Sequence, residues 1–226
     1  MIREQKTILQ EGLVDIMRNR FDEQLDNLQE SMKEMGDKCL SSITDTIEAL
    51  NSGNEKLATS VISRRRNIRN DEREIESICL RLLMQQQPVA SDLRVISSSL
   101  KAVYDLERIG DVASDIAEIV LTEHISTAMD ILNLNDMATA ASSMVHDSIQ
   151  ALNNKDVELA QSVIDTDDIV DNAFNNAKQS LIDKFSKDSN VEYALNLLMI
   201  AKYFEKIGDH AVNIAQWAMY DATGKL

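Results

Sequence analysis

The stretch Leu106-Glu107-Arg108-Ile109-Gly110-Asp111-Val112-Ala113-Ser114-Asp115-Ile116-Ala117-Glu118-Ile119-Val120 decides the fold class, because it returns near the end of the chain. There it reads Phe204-Glu205-Lys206-Ile207-Gly208-Asp209-His210-Ala211-Val212-Asn213-Ile214-Ala215-Gln216-Trp217-Ala218, 98 positions later. In both copies apolar residues recur at alternating steps of three and four: Leu106, Ile109, Ala113, Ile116 and Val120 against Phe204, Ile207, Ala211, Ile214 and Ala218. Such spacing draws one apolar stripe along a helix and is the seam of helix-on-helix packing. Two copies in one chain predict a tandem duplication of a helical unit.

Working outward, Ala49-Leu50-Asn51 recurs as Ala151-Leu152-Asn153, at an offset of 102. The four-residue difference between the offsets falls at the Gln-Gln-Gln-Pro corner of the first half. Breaks are expected at Asn51-Ser52-Gly53-Asn54, Pro88, Thr122–Thr127, Asn153-Asn154 and Lys187-Asp188-Ser189-Asn190. Between them the helical period holds, as in Leu25, Leu28, Met32, Met35, Cys39 and Ile43. Six antiparallel helices of roughly 25 to 35 residues follow, as in bundles with short loops. The expected fold is all-α, with two tandem three-helix bundles at 18–123 and 124–226. Residues 1–17, mixed and polar, read as an N-terminal extension or as sequence ahead of a start at Met17.

Composition agrees. The chain has 226 residues, one proline, six glycines and 4% aromatics, too little turn chemistry for a sheet protein of this length. A net charge of −15 speaks against a nucleic-acid backbone as ligand, since phosphate neutralisation needs clustered cations. The exception is the run Arg64, Arg65, Arg66, Arg69 and Arg73. Cys39 and Cys79, isolated in apolar surroundings, read as reduced core residues. No apolar run reaches the length of a membrane span and no signal peptide opens the chain, so a cytoplasmic protein is expected.

Glu107 and Asp111, like Glu205 and Asp209, are four apart and share a helix face, each glutamate at the edge of the stripe. Carboxylates placed there need a cation, a donor or a metal. Gly110 and Gly208 lower helix propensity, which suits close approach by a backbone or an ion. On the preceding helix of the second half, Asp167 and Asp171 repeat the four-residue spacing. Four carboxylates on two helices form an all-oxygen environment for a hard cation such as iron, Mn or Mg. Subtracting 102 from these positions lands on Arg65 and Arg69, where guanidinium groups would neutralise Glu107 and Asp111 instead. The duplication is therefore expected to be symmetric in fold and asymmetric in chemistry. Direct phosphate binding by the arginine run is a further use, with Arg64 and Arg66 toward solvent, but the sequence supplies no pocket.

These strings, with the corner Gln87-Pro88-Val89-Ala90-Ser91-Asp92-Leu93-Arg94, resemble the PhoU family of phosphate-transport regulatory proteins from about Arg18 to Tyr220. The resemblance implies two three-helix bundles and a homodimer. It implies a negative regulator of the phosphate-starvation response, acting on a sensor histidine kinase and on the ATPase of the phosphate ABC transporter, and meeting the membrane only through them. It also implies metal held by Asp167, Asp171, Glu205 and Asp209, while a first-bundle metal at Glu107 and Asp111 is opposed by Arg65 and Arg69. The alternative class is a carboxylate-bridged di-iron enzyme or iron store. Such sites use Glu-x-x-His, and none of His124, His146 and His210 has a Glu three residues earlier. A metal-free scaffold, with every carboxylate met by Lys or Arg, is the third reading. No P-loop or nucleophile–base pair suggests catalysis.

Overall fold

The computed structural model describes residues 2–85, 88–126, 132–185 and 191–225, with side chains from residue 18 onward except at 85, 184 and 185. Among the described residues six long helices run in order: α1 (Ile2–Ser52), α2 (Glu55–Gln85), α3 (Ala90–Thr122), α4 (Leu134–Asn154), α5 (Val157–Phe185) and α6 (Val191–Thr223). α1 is longer than the sequence suggests, at 51 residues, because it continues without a break through 2–17. α4 is shorter, at 21.

The turns show why the helices stop where they do. After α1, Gly53 takes φ +68° and donates to the Ala49 carbonyl at 2.8 Å, a left-handed close that favours glycine. Asn54 then caps α2, its Oδ1 accepting from the N–H groups of Lys56 and Leu57 at 3.2 Å. The equivalent turn after α4 lies at Lys155 and Asp156, two residues beyond the expected Asn153-Asn154 break. Lys155 is left-handed at φ +53°, and Asp156 caps α5 through the Leu159 N–H at 2.9 Å. The 102-residue offset thus carries Gly53 onto Lys155, and the duplicate holds its strained position without a glycine. The Pro88 break is present. The break at Lys187–Asn190 and the Thr127 end of the Thr122–Thr127 break lie outside the described residues.

All ten residues of the duplicated stripe are buried to 1% exposure or less. Each large one contributes about 1.5–3 kcal/mol relative to an exposed state. α2 packs on α1 and α3, and α5 on α4 and α6, making one three-helix bundle in each half. Between the halves, α3 lies against α6 and α1 against α4. Both pairs are antiparallel: Arg94 and Asp105 of α3 meet Asp221 and His210 of α6, and Gly36 and Asn51 of α1 meet Ile149 and Asn135 of α4. α1, α3, α4 and α6 form the centre, with α2 and α5 outside. Among the described residues no helix is long and apolar enough to cross a membrane. Cys39 and Cys79 are buried and free, and burial pushes both thiols up to about 12.

Candidate functional site

The two Glu-x-x-x-Asp pairs occupy equivalent places, each facing the outer helix of its own bundle. In the first half that helix is α2. Arg69 donates to Asp111 Oδ2 at 2.6 Å and approaches Glu107 Oε1 at 3.2 Å. Arg65 lies 3.4 Å from Asp111 Oδ1 through Nε and donates to the Asp111 carbonyl at 3.0 Å. It also pairs with Asp115 and, at 3.1 Å, with Glu118. Two guanidinium forks therefore hold four carboxylates of α3, with Glu107 and Asp111 largely shielded from solvent. Charge-assisted forks of this kind are strong, directional bonds.

Asp115 and Glu118 escaped the sequence reading. They continue the face of Asp111 at steps of four and three, so helical spacing contained the signal. Arg66 is exposed, as expected. Arg64, expected toward solvent, instead turns to α1, where it pairs with Asp45 and donates to Ser41 at 3.1 Å. Its side chain is long enough to cross the groove between neighbouring helices.

In the second half the outer helix is α5, and it offers carboxylates. Asp167 is half-buried and Asp171 exposed one turn on; Glu205 is buried and Asp209 sits at the exposed rim. Lys202, three residues before Glu205, takes one of its oxygens and stacks over the Phe174 ring. Among the described residues, buried Asp167 Oδ1 and Glu205 Oε2 have no hydrogen-bond partner. Burial first, and then Asp171, Asp209 and Glu205, raise the Asp167 pKa to about 6. Asp209 is raised too, chiefly by desolvation and by Glu205. Buried anionic oxygens without partners are costly, and a cation would relieve them. The donors are all oxygen, which fits a hard cation. Among the described residues, however, no three Asp, Glu, His or Cys side chains are gathered closely enough to form a metal cage.

The two central glycines serve different neighbours. A Cβ on Gly110 would stand 2.7 Å from Ile68 Cδ1 and 3.0 Å from its Cγ2. An apolar side chain of α2 fills that space, not the backbone or ion expected from the sequence. At Gly208 the added atom would meet Asp167 Oδ1 and Met144 at 3.6 Å, ordinary contact.

The three histidines have separate partners. His124 contacts Glu55 at 2.8 Å and His146 contacts Asp147 at 2.9 Å. His210 Nδ1 lies 2.9 Å from Asp105 Oδ1, which also accepts from Asn213 Nδ2 at 3.0 Å. Asp105 is buried and thereby ties α3 to α6 across the halves. A second tie between these helices is Arg94, whose Nε donates to the Asp221 carbonyl at 3.2 Å. The buried Asp221 carboxylate is met from its own half by the Lys155 ammonium at 3.1 Å. Nothing in local spacing points to the cross-half partners.

Comparison with known proteins matches both halves separately. The PhoU domain family profile covers residues 32–120 and again 134–218. A phosphate-specific transport system accessory protein PhoU homolog from Clostridium acetobutylicum is 34% identical over 211 residues, covering 92% of this chain and 96% of the relative. One from Pseudomonas aeruginosa is 32% identical over 220 residues, covering 96% and 91%. Among solved structures, the crystal structure of PhoU from Pseudomonas aeruginosa superposes with a TM-score of 0.85 at 31% identity, covering 91% of this chain and 100% of that one. The phosphate transport system regulatory protein PhoU from Streptococcus pneumoniae gives 0.83 at 27% identity, with 91% and 98% covered.

Proposed function

The chain belongs to the PhoU family, and on that premise we propose that it holds down the phosphate-starvation response and phosphate uptake when phosphate is plentiful. It does so without catalysis, by contact with a sensor histidine kinase and with the ATPase of the phosphate transporter. The observation that supports this reading most is the match of both halves to one domain family, with relatives of nearly the same length that are named as phosphate-transport accessory proteins. The acidic surface is suited to steering toward basic patches on such partners. The working form in this reading is a homodimer in the cytoplasm, brought to the membrane by its partners. Deleting the protein should raise expression of phosphate-uptake genes in high phosphate. Unchanged expression would sink the reading.

A hard cation, iron or Mn or Mg, belongs to the same proposal. Asp167, Asp171, Glu205 and Asp209 would hold it, neutralising the two unpartnered oxygens and stiffening α5 against α6. The first bundle needs none, because Arg65 and Arg69 already supply the positive charge. Protein purified without chelator should carry metal, and Asp167→Ala with Glu205→Ala should abolish it. Retention of metal by that double variant rules these ligands out.

A further inference from the structure

The arginine run of α2 contains two cations that the carboxylates of α1 and α3 do not take up. Arg64 is held by Asp45, Arg65 by Asp111, Asp115 and Glu118, and Arg69 by Glu107 and Asp111. Arg66 and Arg73 are exposed and make no ion pair among the described residues. Arg73 acts on neighbouring Glu72 only through space, lowering its pKa against the larger effect of burial. The two arginines stand seven apart, two turns along one face, with Asn70 between them. Both stand on the same face of α2 as Asn70, which lies four residues after Arg66 and three before Arg73.

The surface there is concave. A groove of about 400 Å³ is lined by Ile62, Arg65, Arg66, Arg69, Asn70 and Arg73. Arg65 and Arg69 form its inner wall, and their ion pairs to α3 fix them in place. Arg66 and Arg73 bring two more guanidinium forks, and Asn70 an amide donor, from the outer side. Each fork presents parallel N–H groups that fit two oxygens of a tetrahedral anion. A dianion matches the two unpaired positive charges, whereas a single carboxylate would neutralise only one.

We propose that this groove binds inorganic phosphate, with Arg66 and Arg73 as the principal ligands and Asn70 between them. The corresponding face of α5 cannot do the same. Adding 102 carries Arg66 onto Asp168 and Arg73 onto Asn175, so the second half sets an acid and an amide where the first sets two guanidinium groups. The site therefore belongs to the first half alone. As the phosphate input of the regulator it rests on the reading above, but binding itself is measured on the purified chain.

The test is phosphate titration of the full chain by calorimetry, at constant ionic strength held with chloride. Wild type should bind in a saturable manner at one site. Arg66→Gln with Arg73→Gln should weaken binding at least about tenfold, the loss of two charge-assisted forks, while Arg20→Gln, an exposed arginine outside the groove, leaves it unchanged. Glutamine is a good helix former, and equal helix content by circular dichroism checks that the fold survives. No saturable binding in wild type, or equal binding by the double variant, would overturn the proposal. So would an equal loss in Arg20→Gln. The gene-expression test of the regulatory reading uses a deletion strain, so the two can fail separately.

Discussion

At Asp167 one carboxylate oxygen is buried without a hydrogen-bond partner among the described residues; burial first, and then the nearby Asp171, Asp209 and Glu205, raise the pKa to about 6. The unfolded value is about 3.9. Between those two values the unfolded chain has released a proton that the native chain retains. Stability from this group therefore falls as pH rises from about 4 to about 6. Asp92 acts with the opposite sign. Arg18 and the Val89 N–H bond its carboxylate and lower its pKa, so its contribution is lost as pH falls through the folded value. In the presence of chelator, Asp167→Asn should be more stable than wild type at about pH 7.5, by on the order of 1 kcal/mol once solvent screening of this half-open group is allowed for. The advantage should shrink as pH falls and vanish by about pH 3, where both states of the wild type hold the proton. Urea denaturation of both proteins at the two pH values checks this, and a difference independent of pH would contradict it.

Between elements, the close approach of α2 to α3 depends on Gly110, whose missing Cβ leaves room for Ile68. Gly110→Ala gains about 1 kcal/mol of helix propensity but forces Ile68 to shift, which costs about 1–3 kcal/mol. The expected result is neutral to destabilising. Gly208→Ala meets only ordinary contacts, and should stabilise by about 0.5–1 kcal/mol. Chemical denaturation of the two variants should give opposite or clearly separated shifts; equal shifts would mean that Ile68 does not constrain Gly110. This pair marks the limit of what the sequence makes legible. Period and repeat place both glycines in mid-helix beside the carboxylate face, and the offset of 102 sets Arg65 and Arg69 opposite Glu107 and Asp111. Neither can say that Ile68 fills the first gap, because Ile68 lies on another helix at a depth fixed by packing. The same holds for Arg64 on Asp45, where a flexible side chain reaches an acid of another helix; Lys202 on Glu205, three apart on one helix, is the kind of pair that spacing does show.

On the scale of the molecule, the halves are held together through α3 against α6 and α1 against α4. Asp105 is buried in the first of these contacts and bonded to His210 and Asn213. Because the halves share one fold, each offers a second copy of itself the same faces that it offers its partner half. The offset of 98 shows what such pairs would contain. Two first halves would set Asp105 against Val112 and Asp115 in place of His210 and Asn213, so that a buried carboxylate loses both of these partners and faces another acid, one already held by Arg65. Two second halves would set Tyr203 against His210 and Asn213, with no carboxylate buried there. An unpaired buried charge is strongly unfavourable, whereas a hydrogen-bonded one is tolerated. Fragments 1–126 and 127–226, purified apart, should therefore differ: the second should form a stable dimer with itself and the first should not. Mixed, they should form a one-to-one complex that withstands more urea than either fragment. Light scattering after size-exclusion chromatography reads all three states. Equal self-association by both fragments, or no complex on mixing, would show that Asp105 does not direct the pairing of the halves.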